Sequence, residues 1–482
     1  MAMPEAPFSA SIEAFITSFA HEIADGSAAI FAGAGLSVDS GYVNWSELMR
    51  DIAAELELDV DRETNLVALA QYHLNERRNR TRINQKIIDE FSAGHAHNEN
   101  HEILARLPIS TYWTTNYDTL IETALEAQGK IVDVKHSVKQ LKNNKRGRHA
   151  LVYKMHGDAS DPDNAVLTKD DYEGYFRDRE PFVTALTGDL VSKTLLFIGF
   201  SFTDPNIDYV MSRIRVVLHK QPKQHYCILR QVQRKPRETL PKFEYRRRQQ
   251  DYFVKDLTRT GIHALMVESY SDVTRILRAI ERRYRTRTVF ISGSAHEFEA
   301  WKPDEAARFI EDLSSALIGK GMNIVTGFGL GVGPSVIAGA LHAILADPKR
   351  RSHSQLRAHP FPADEGSAPE RRNLYRRHRE RMIGEAGIAI FLFGNKRDAR
   401  GRIVLADGMR EEFEIAQKLG LHCVAVGATG CVAADLAKSL KGSWSARSKR
   451  FQKAVHIAND PAAARSAVSR SVMSMVQELS TL

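Results

Sequence analysis

Four short polar stretches carry residue types that could do chemistry: Gly33-Ala34-Gly35-Leu36-Ser37, Thr115-Asn116-Tyr117-Asp118, His156-Gly157 and Gly199-Phe200-Ser201. Each closes an apolar or β-branched run, which is where open parallel sheets place their ligands. Two glycines one residue apart let a backbone approach a ligand, and amides at a following helix start favour phosphate. The full G-x-G-x-x-G spacing is absent, with Val38 at its third position, so a tight turn without a ligand explains the stretch equally well. An Asn amide can orient water, and a histidine that titrates near neutrality can act as a base. Singly, Asn116 and Asp118 are turn formers and His156 is a histidine satisfied at a sheet edge. Converging on one crevice, they make a site.

The elements that must hold these stretches alternate between strand and helix. An amphipathic helix over 11–25 precedes the strand 28–32. A helical layer runs from Trp45 to about Leu107, with Leu48, Ile52 and Leu56 on one face and Leu66, Leu69, Ala70 and His73 on another. Strands follow near Ile109–Thr115, Leu151–Met155, Thr194–Phe200, His225–Arg230 and Gly261–Leu265, with a helix to about Arg283. The polar loop 157–170 and the aromatic helical segment behind it are placed to lid the crevice. His97 and His101 share a helical face, but no Cys or paired Asp accompanies them, so capping and packing account for them and no metal is expected.

At 482 residues the chain exceeds one ordinary core and predicts about two to four domains. Lys+Arg of 67 against Asp+Glu of 59 gives +8, spread over several segments, so no nucleic-acid partner is expected. Cys227, Cys423 and Cys431 are an odd set without C-x-x-C spacing, which disfavours a disulfide framework or a zinc module and fits a reducing cytoplasm. No run approaches the roughly 18 apolar residues of a membrane span. The N-terminal stretch has no basic region followed by an apolar one, so a soluble cytoplasmic protein is expected.

After a charged joint, Arg282–Arg287, the pattern restarts with the strand Thr288–Ser294 and a helix from Pro303 to Lys320. Strand Met322–Thr326 runs into Gly327, Gly329, Gly331 and Gly333, four alternating glycines before a helix. They read as a phosphate cradle or as close packing of helix on sheet. Six arginines lie between Arg371 and Arg381. Such a run is usually a solvated face, yet the strand Ile388–Phe393 follows so closely that some guanidinium groups should face the crevice, where they suit a pyrophosphate. Lys396 sits at that strand's end, and Glu411, opening the next helix, is suited to ribose hydroxyls.

In order and spacing, residues of about 11–280 resemble the sirtuin-type NAD-binding fold. WTTNYDTLIE, LVYKMHGD and FIGFSFTDPNI are similar to the bacterial sirtuin-like branch that hydrolyses NAD in antiphage defence. The resemblance implies Asn116 and His156 as catalytic residues. It also implies Gly33, Ala34, Gly35 and Ser37 at the pyrophosphate, Asp118 at the ribose and Ser201 at the adenosine end. The four-cysteine zinc module of deacylating sirtuins is missing, as is their G-x-PDFR run, replaced by Gly41-Tyr42-Val43-Asn44-Trp45, so acyl-peptide chemistry is disfavoured.

The second half resembles the SLOG group of nucleotide-binding domains, which implies Ser292, Gly293, Arg379, Lys396 and Glu411 as ligand contacts, with Arg371 a second choice. Phosphoribohydrolases related to that group carry PGG-x-GT-x-x-E. FGNKRDARGRIVLADGMREE has no paired glycines, which leaves ligand sensing. The expected fold class is α/β with two doubly wound domains. Residues 1–283 form a sirtuin-like Rossmann-type domain with a helical insertion and no zinc module, and residues 284–482 a SLOG Rossmann-like domain.

The pair resembles the sirtuin–SLOG effectors of Thoeris antiphage systems. That resemblance implies a homo-oligomer, a tetramer, hydrolysing NAD+ to ADP-ribose and nicotinamide with no cofactor beyond NAD+ itself. It further implies activation by a cyclic ADP-ribose isomer supplied by a TIR-domain partner protein. Two other readings stay open: a phosphoribohydrolase with an NAD-binding regulatory domain, and a non-enzymatic NAD-sensing assembly protein docking through Arg234–Arg248.

Overall fold

Short strands that are apolar on both faces and separated by helices are stable only inside a parallel sheet covered on both sides. The computed structural model has two such sheets. It describes residues 7–481 except 64, 93, 203–206, 208–210, 212–222, 300, 363–366 and 446. The chain divides into two compact units, Met1–Glu281 and Arg282–Leu482.

The first unit holds β1 (Ala28–Ala32), β2 (Thr111–Thr114), β3 (Val132–Lys135), β4 (Ala150–Lys154), β5 (Thr194–Ile198), β6 (His225–Arg230) and β7 (Ile262–Val267). They form one sheet in the order β3-β4-β2-β1-β5-β6-β7, every pair parallel. All five residues of β1 are buried, with Ile30 between Tyr112 and Leu196. The strand order reverses between β1 and β5, which opens a crevice at their C-terminal ends.

Four helices, Trp45–Glu55, Leu66–Arg77, Thr81–Phe91 and Glu99–Arg106, stand between β1 and β2 in the chain. The first opens with a reciprocal cap, Asn44 accepting from the Glu47 amide and Glu47 from that of Asn44. Leu48, Ile52, Leu69, Ile83 and Ile87 of this layer share a core with Tyr117, Ala165 and Leu167, which belong to the crevice loops. Leu56 and Leu66 lie at its margin.

The histidines of 95–101 go to separate partners. His95 packs edge-on to Tyr42, His97 faces Glu102 at 3.7 Å, and His101 Nδ1 lies 2.9 Å from Asn98 Oδ1. Burial pushes the His101 imidazole down to about 4. Among the described residues no group of three or more His, Cys, Asp or Glu is placed to hold a metal.

The second unit holds β8 (Thr288–Ser294), β9 (Asn323–Thr326), β10 (Leu356–Ala358), β11 (Ile388–Phe393), β12 (Asn395–Arg397), β13 (Ile403–Leu405) and β14 (His422–Ala425). Five form a parallel sheet in the order β10-β9-β8-β11-β14, reversing between β8 and β11. The inserted stretch after Gly394 folds as an antiparallel hairpin of β12 and β13. β10, three residues on the sheet edge with none fully buried, left no hydrophobic signal to read. No helix among the described residues is long and apolar enough to cross a membrane.

Candidate functional site

At the ends of β1 and β5 two glycine turns lie backbone against backbone. The Gly33 amide donates to Ile198 O and the Gly35 amide to Gly199 O, both at 2.9 Å. A Cβ on Gly33 would stand 2.5 Å from Gly199 O, and one on Gly199, at φ +64°, only 2.2 Å from Leu36 N. The amides of Leu36 and Ser37 close the short turn Ala34–Leu36 onto Gly33 O and Ala34 O. Close approach of two turns therefore accounts for the glycine spacing, and the amides of Gly33, Gly35, Leu36 and Ser37 already have backbone acceptors.

The Gly33 carbonyl instead orients Asn116. The Asn116 carboxamide donates from Nδ2 to Gly33 O at 3.2 Å and to Ser37 Oγ at 3.1 Å. Both amide hydrogens are then used, so the side chain can act on a ligand only through its acceptor, Oδ1. Ser37 Oγ donates to Asp118 Oδ2 at 2.8 Å, and Asp118 Oδ1 accepts the Leu120 amide at 3.1 Å, at the start of the helix Leu120–Ala127. Asn116, Ser37 and Asp118 thus form one buried chain of hydrogen bonds. With both oxygens engaged, Asp118 holds the turn.

His156 follows β4 and is 1% exposed, with its ring edge-on to Tyr172 at 5.5 Å and to Tyr175 at 6.3 Å. Gly157 behind it sits at φ +96°, and a Cβ there would meet Asn164 O at 3.1 Å. A cleft of about 1860 Å³ is lined by Ala34, Gly35, Ser37, Asn116, Asp118, His156, Tyr172 and Ser201 among others, and runs on to the loop Arg230–Pro236. That is roomier than the usual small-molecule pocket of about 300–1,000 Å³. Gly33 is not on its surface, and Ser201 is exposed at the rim. Thr203 to Asn206, the polar end of the turn after Ser201, lie outside the described residues.

In the second unit a Cβ on Gly329 would stand 2.0 Å from Gly293 O, and one on Gly331 2.2 Å from Ala295 O. Here too the glycines allow loop-on-loop packing. Ser292 Oγ donates to Glu412 Oε2 at 2.6 Å. Arg379 reaches Glu411 Oε2 at 2.8 Å and Glu412 Oε1 at 3.4 Å while its guanidinium lies over the Phe361 ring at 4.9 Å. Of the six arginines, Arg371 and Arg379 are partly buried, whereas Arg372, Arg376, Arg377 and Arg381 are exposed. Lys396 pairs with Asp407 at 3.0 Å on the exposed hairpin.

Two residues that the sequence reading passed over stand out. Glu412 is the more buried of the adjacent glutamates, and burial raises its carboxyl above the ordinary value against the pull of Ser292 and Arg379. Its signal was position, since Met409, Glu412, Phe413 and Ala416 share one helical face. Lys154 is fully buried, and in β4 the alternation of Ala150, Val152 and Lys154 points it into the core.

A family model described as the Sir2- and TIR-associating SLOG family matches residues 272–479, and one described as a SIR2-like domain matches residues 110–255. The chain is 50% identical over 426 residues to the NAD(+) hydrolase ThsA of Bacillus cereus (strain MSX-D12), covering 88% of each. It is 47% identical over 420 residues to the NAD(+) hydrolase ThsA of Acinetobacter baumannii (strain 532279), covering 86% of this chain and 87% of that one. The defense-associated sirtuin 2 of Bacillus subtilis is 26% identical over 198 residues, 40% of this chain and 19% of that protein.

Proposed function

The chain belongs to the family of ThsA NAD(+) hydrolases, and from that premise we propose that its first unit cleaves NAD+ to nicotinamide and ADP-ribose in antiphage defence. The C1′–N bond of the nicotinamide ribose breaks, its electron pair neutralises the leaving ring nitrogen, and a water oxygen bonds to C1′ and releases a proton. The transition state is a ribose cation with a neutral leaving group, so the protein mainly has to hold the ribose and aim the water. Asn116 Oδ1 accepts a hydrogen bond from that water or from a ribose hydroxyl, and His156 takes the proton. Asp118 acts through Ser37, keeping the Asn116 amide turned. The turn Gly33–Ser37 flanks the pyrophosphate and Ser201 the adenosine end. No metal enters the step.

The observation that carries this reading is the chain Asn116–Ser37–Asp118 in a cleft that His156 also lines. The second unit is read as the control site, where Ser292, Gly293, Arg379, Lys396 and Glu411, with Arg371, take a cyclic ADP-ribose isomer made by a TIR-domain partner. The partly buried setting of Arg371 and Arg379 supports this, as does the TIR-associating description of the matched family. A coupling of about 1–3 kcal/mol would change NAD+ affinity roughly 5–150-fold between the free and activator-bound forms. The active form is proposed to be a cytoplasmic homo-tetramer whose NAD+ depletion stops phage propagation.

Nicotinamide release from NAD+ by the pure protein, with and without cyclic ADP-ribose isomers, tests both parts. Release that rises with one isomer is expected, and no release under any condition would overturn the reading. Free base released from AMP-type nucleotides would point to a phosphoribohydrolase instead.

A further inference from the structure

Beneath the two proposed catalytic residues lies a charge with no part in the scheme above. Lys154, the last residue of β4, is 0% exposed. Its ammonium donates to Tyr117 O at 3.0 Å, to Asp118 O at 2.5 Å and to the Asp158 carboxylate, while Glu122 Oε1 lies 3.2 Å away. An ammonium has three hydrogens, and these three acceptors take them, which leaves Glu122 as a neighbouring carboxyl outside the hydrogen-bond set. Asp158 is itself fixed, accepting from the amide and hydroxyl of Ser160. The Ala159 amide donates to Tyr117 O, a second tie between the same two loops.

Burial acts differently on the two acids. It pulls the Asp158 carboxyl upward, but Lys154 and the hydrogen bonds from Ser160 together outweigh it and hold the group below its ordinary value. For Glu122 burial prevails and the carboxyl is raised. The direct hydrogen bond makes Asp158 the lysine's partner, with the Glu122 carboxyl 3.2 Å from the same ammonium. A buried pair is weak evidence for stability, since apolar residues of like volume often serve as well. What it supplies here is direction: two of its three hydrogen bonds end on the backbone of the turn that carries Asn116.

We propose that Lys154 is a positioning residue for NAD+ cleavage, joining the turn that carries Asn116 to the strand end that carries His156 and so setting how the two meet the ribose and the water. This rests on the NAD+-cleaving reading. His156 follows Lys154 by two residues and Asn116 precedes Asp118 by two, so this side chain ties together the backbone next to both. Neither catalytic residue has to change for the geometry to be lost.

The test is the full-length double variant Lys154→Met, Asp158→Asn, which removes the pair without stranding a buried charge. At an unchanged melting temperature, kcat for nicotinamide release should fall roughly 10- to 100-fold, the scale on which small misplacements act, while KM for NAD+ stays near the parent's. A purely structural role would move the melting temperature and leave kcat alone. Should the double variant fail to fold, Lys154→Arg carries the same test, since it keeps the charge but displaces the donors.

Amide exchange over residues 116–120, followed on the same samples, should quicken in the double variant whether or not the parent turns over NAD+. A folded variant with parental kcat and parental exchange would overturn the assignment. A parent that releases no nicotinamide would overturn the NAD+ reading instead and leave the exchange measurement to decide the positioning.

Discussion

Each unit sets a serine against a carboxylate at its strand-order reversal, Ser37 on Asp118 in the first and Ser292 on Glu412 in the second. What lies on the far side differs. Ser37 accepts from the neutral carboxamide of Asn116, whereas Glu412 shares Arg379 with Glu411. A chain of directional hydrogen bonds that ends on a carboxylate with both oxygens engaged holds one geometry, which suits a site proposed to aim a water. A guanidinium between two carboxylates can trade either for a phosphate, which suits a ligand that arrives and leaves. Similar architecture thus yields a fixed crevice and an exchangeable one.

That contrast can be broken most sharply at Asn116. Asn116→Ala should lower nicotinamide release by about 10²–10³-fold, the usual effect of losing one oriented polar group at a reacting centre, with the fold intact by circular dichroism. Parental release would mean that the first crevice is not the chemical one. Next in size, Arg379→Ala should weaken binding of the cyclic ADP-ribose isomer proposed as activator by about 10- to 100-fold, as expected for hydrogen bonds to a charged group, read by calorimetry. Unchanged affinity would remove the exchangeable arginine from the contrast.

The smallest effect concerns Glu412. Its carboxyl is raised above the ordinary 4.5, so the folded state binds that proton more tightly than the unfolded chain does. The group therefore costs stability at neutral pH, and the cost fades as pH falls through the raised value toward 4.5. Glu412→Gln should remove this acid-side gain and raise the neutral-pH melting temperature by about 2 °C, measured by calorimetry from pH 4.5 to 7. A parental pH profile in the variant would place the proton elsewhere.

The strand ends and their company were legible in the sequence because a buried parallel strand is an apolar run that stops abruptly at its polar turn. The reason for the glycines was not. Gly33 and Gly35 lie far from Gly199 in the chain, and the 2.2–2.9 Å approaches that exclude a Cβ exist only once β1 and β5 are paired. Glu411 was favoured over Glu412 because motif position cannot resolve one step of a helix, a turn of about 100°, whereas the apolar neighbours Met409, Phe413 and Ala416 could have done so. Lys154 went unassigned because a lysine in LVYKM looks like a strand's exposed edge until Ala150 and Val152 fix which face is buried. Edge strand β10 carried too few apolar residues to be seen.

Tyr117 belongs to the core of the four-helix layer and donates to Val166 O at 2.7 Å, while its neighbour Asn116 belongs to the cleft. One turn is therefore seated in two compartments at once. A packing defect in the helical layer would be felt at the Asn116 amide, the proposed catalytic group. On the proposed role of Asn116, variation among the layer's apolar residues would tune turnover as well as durability.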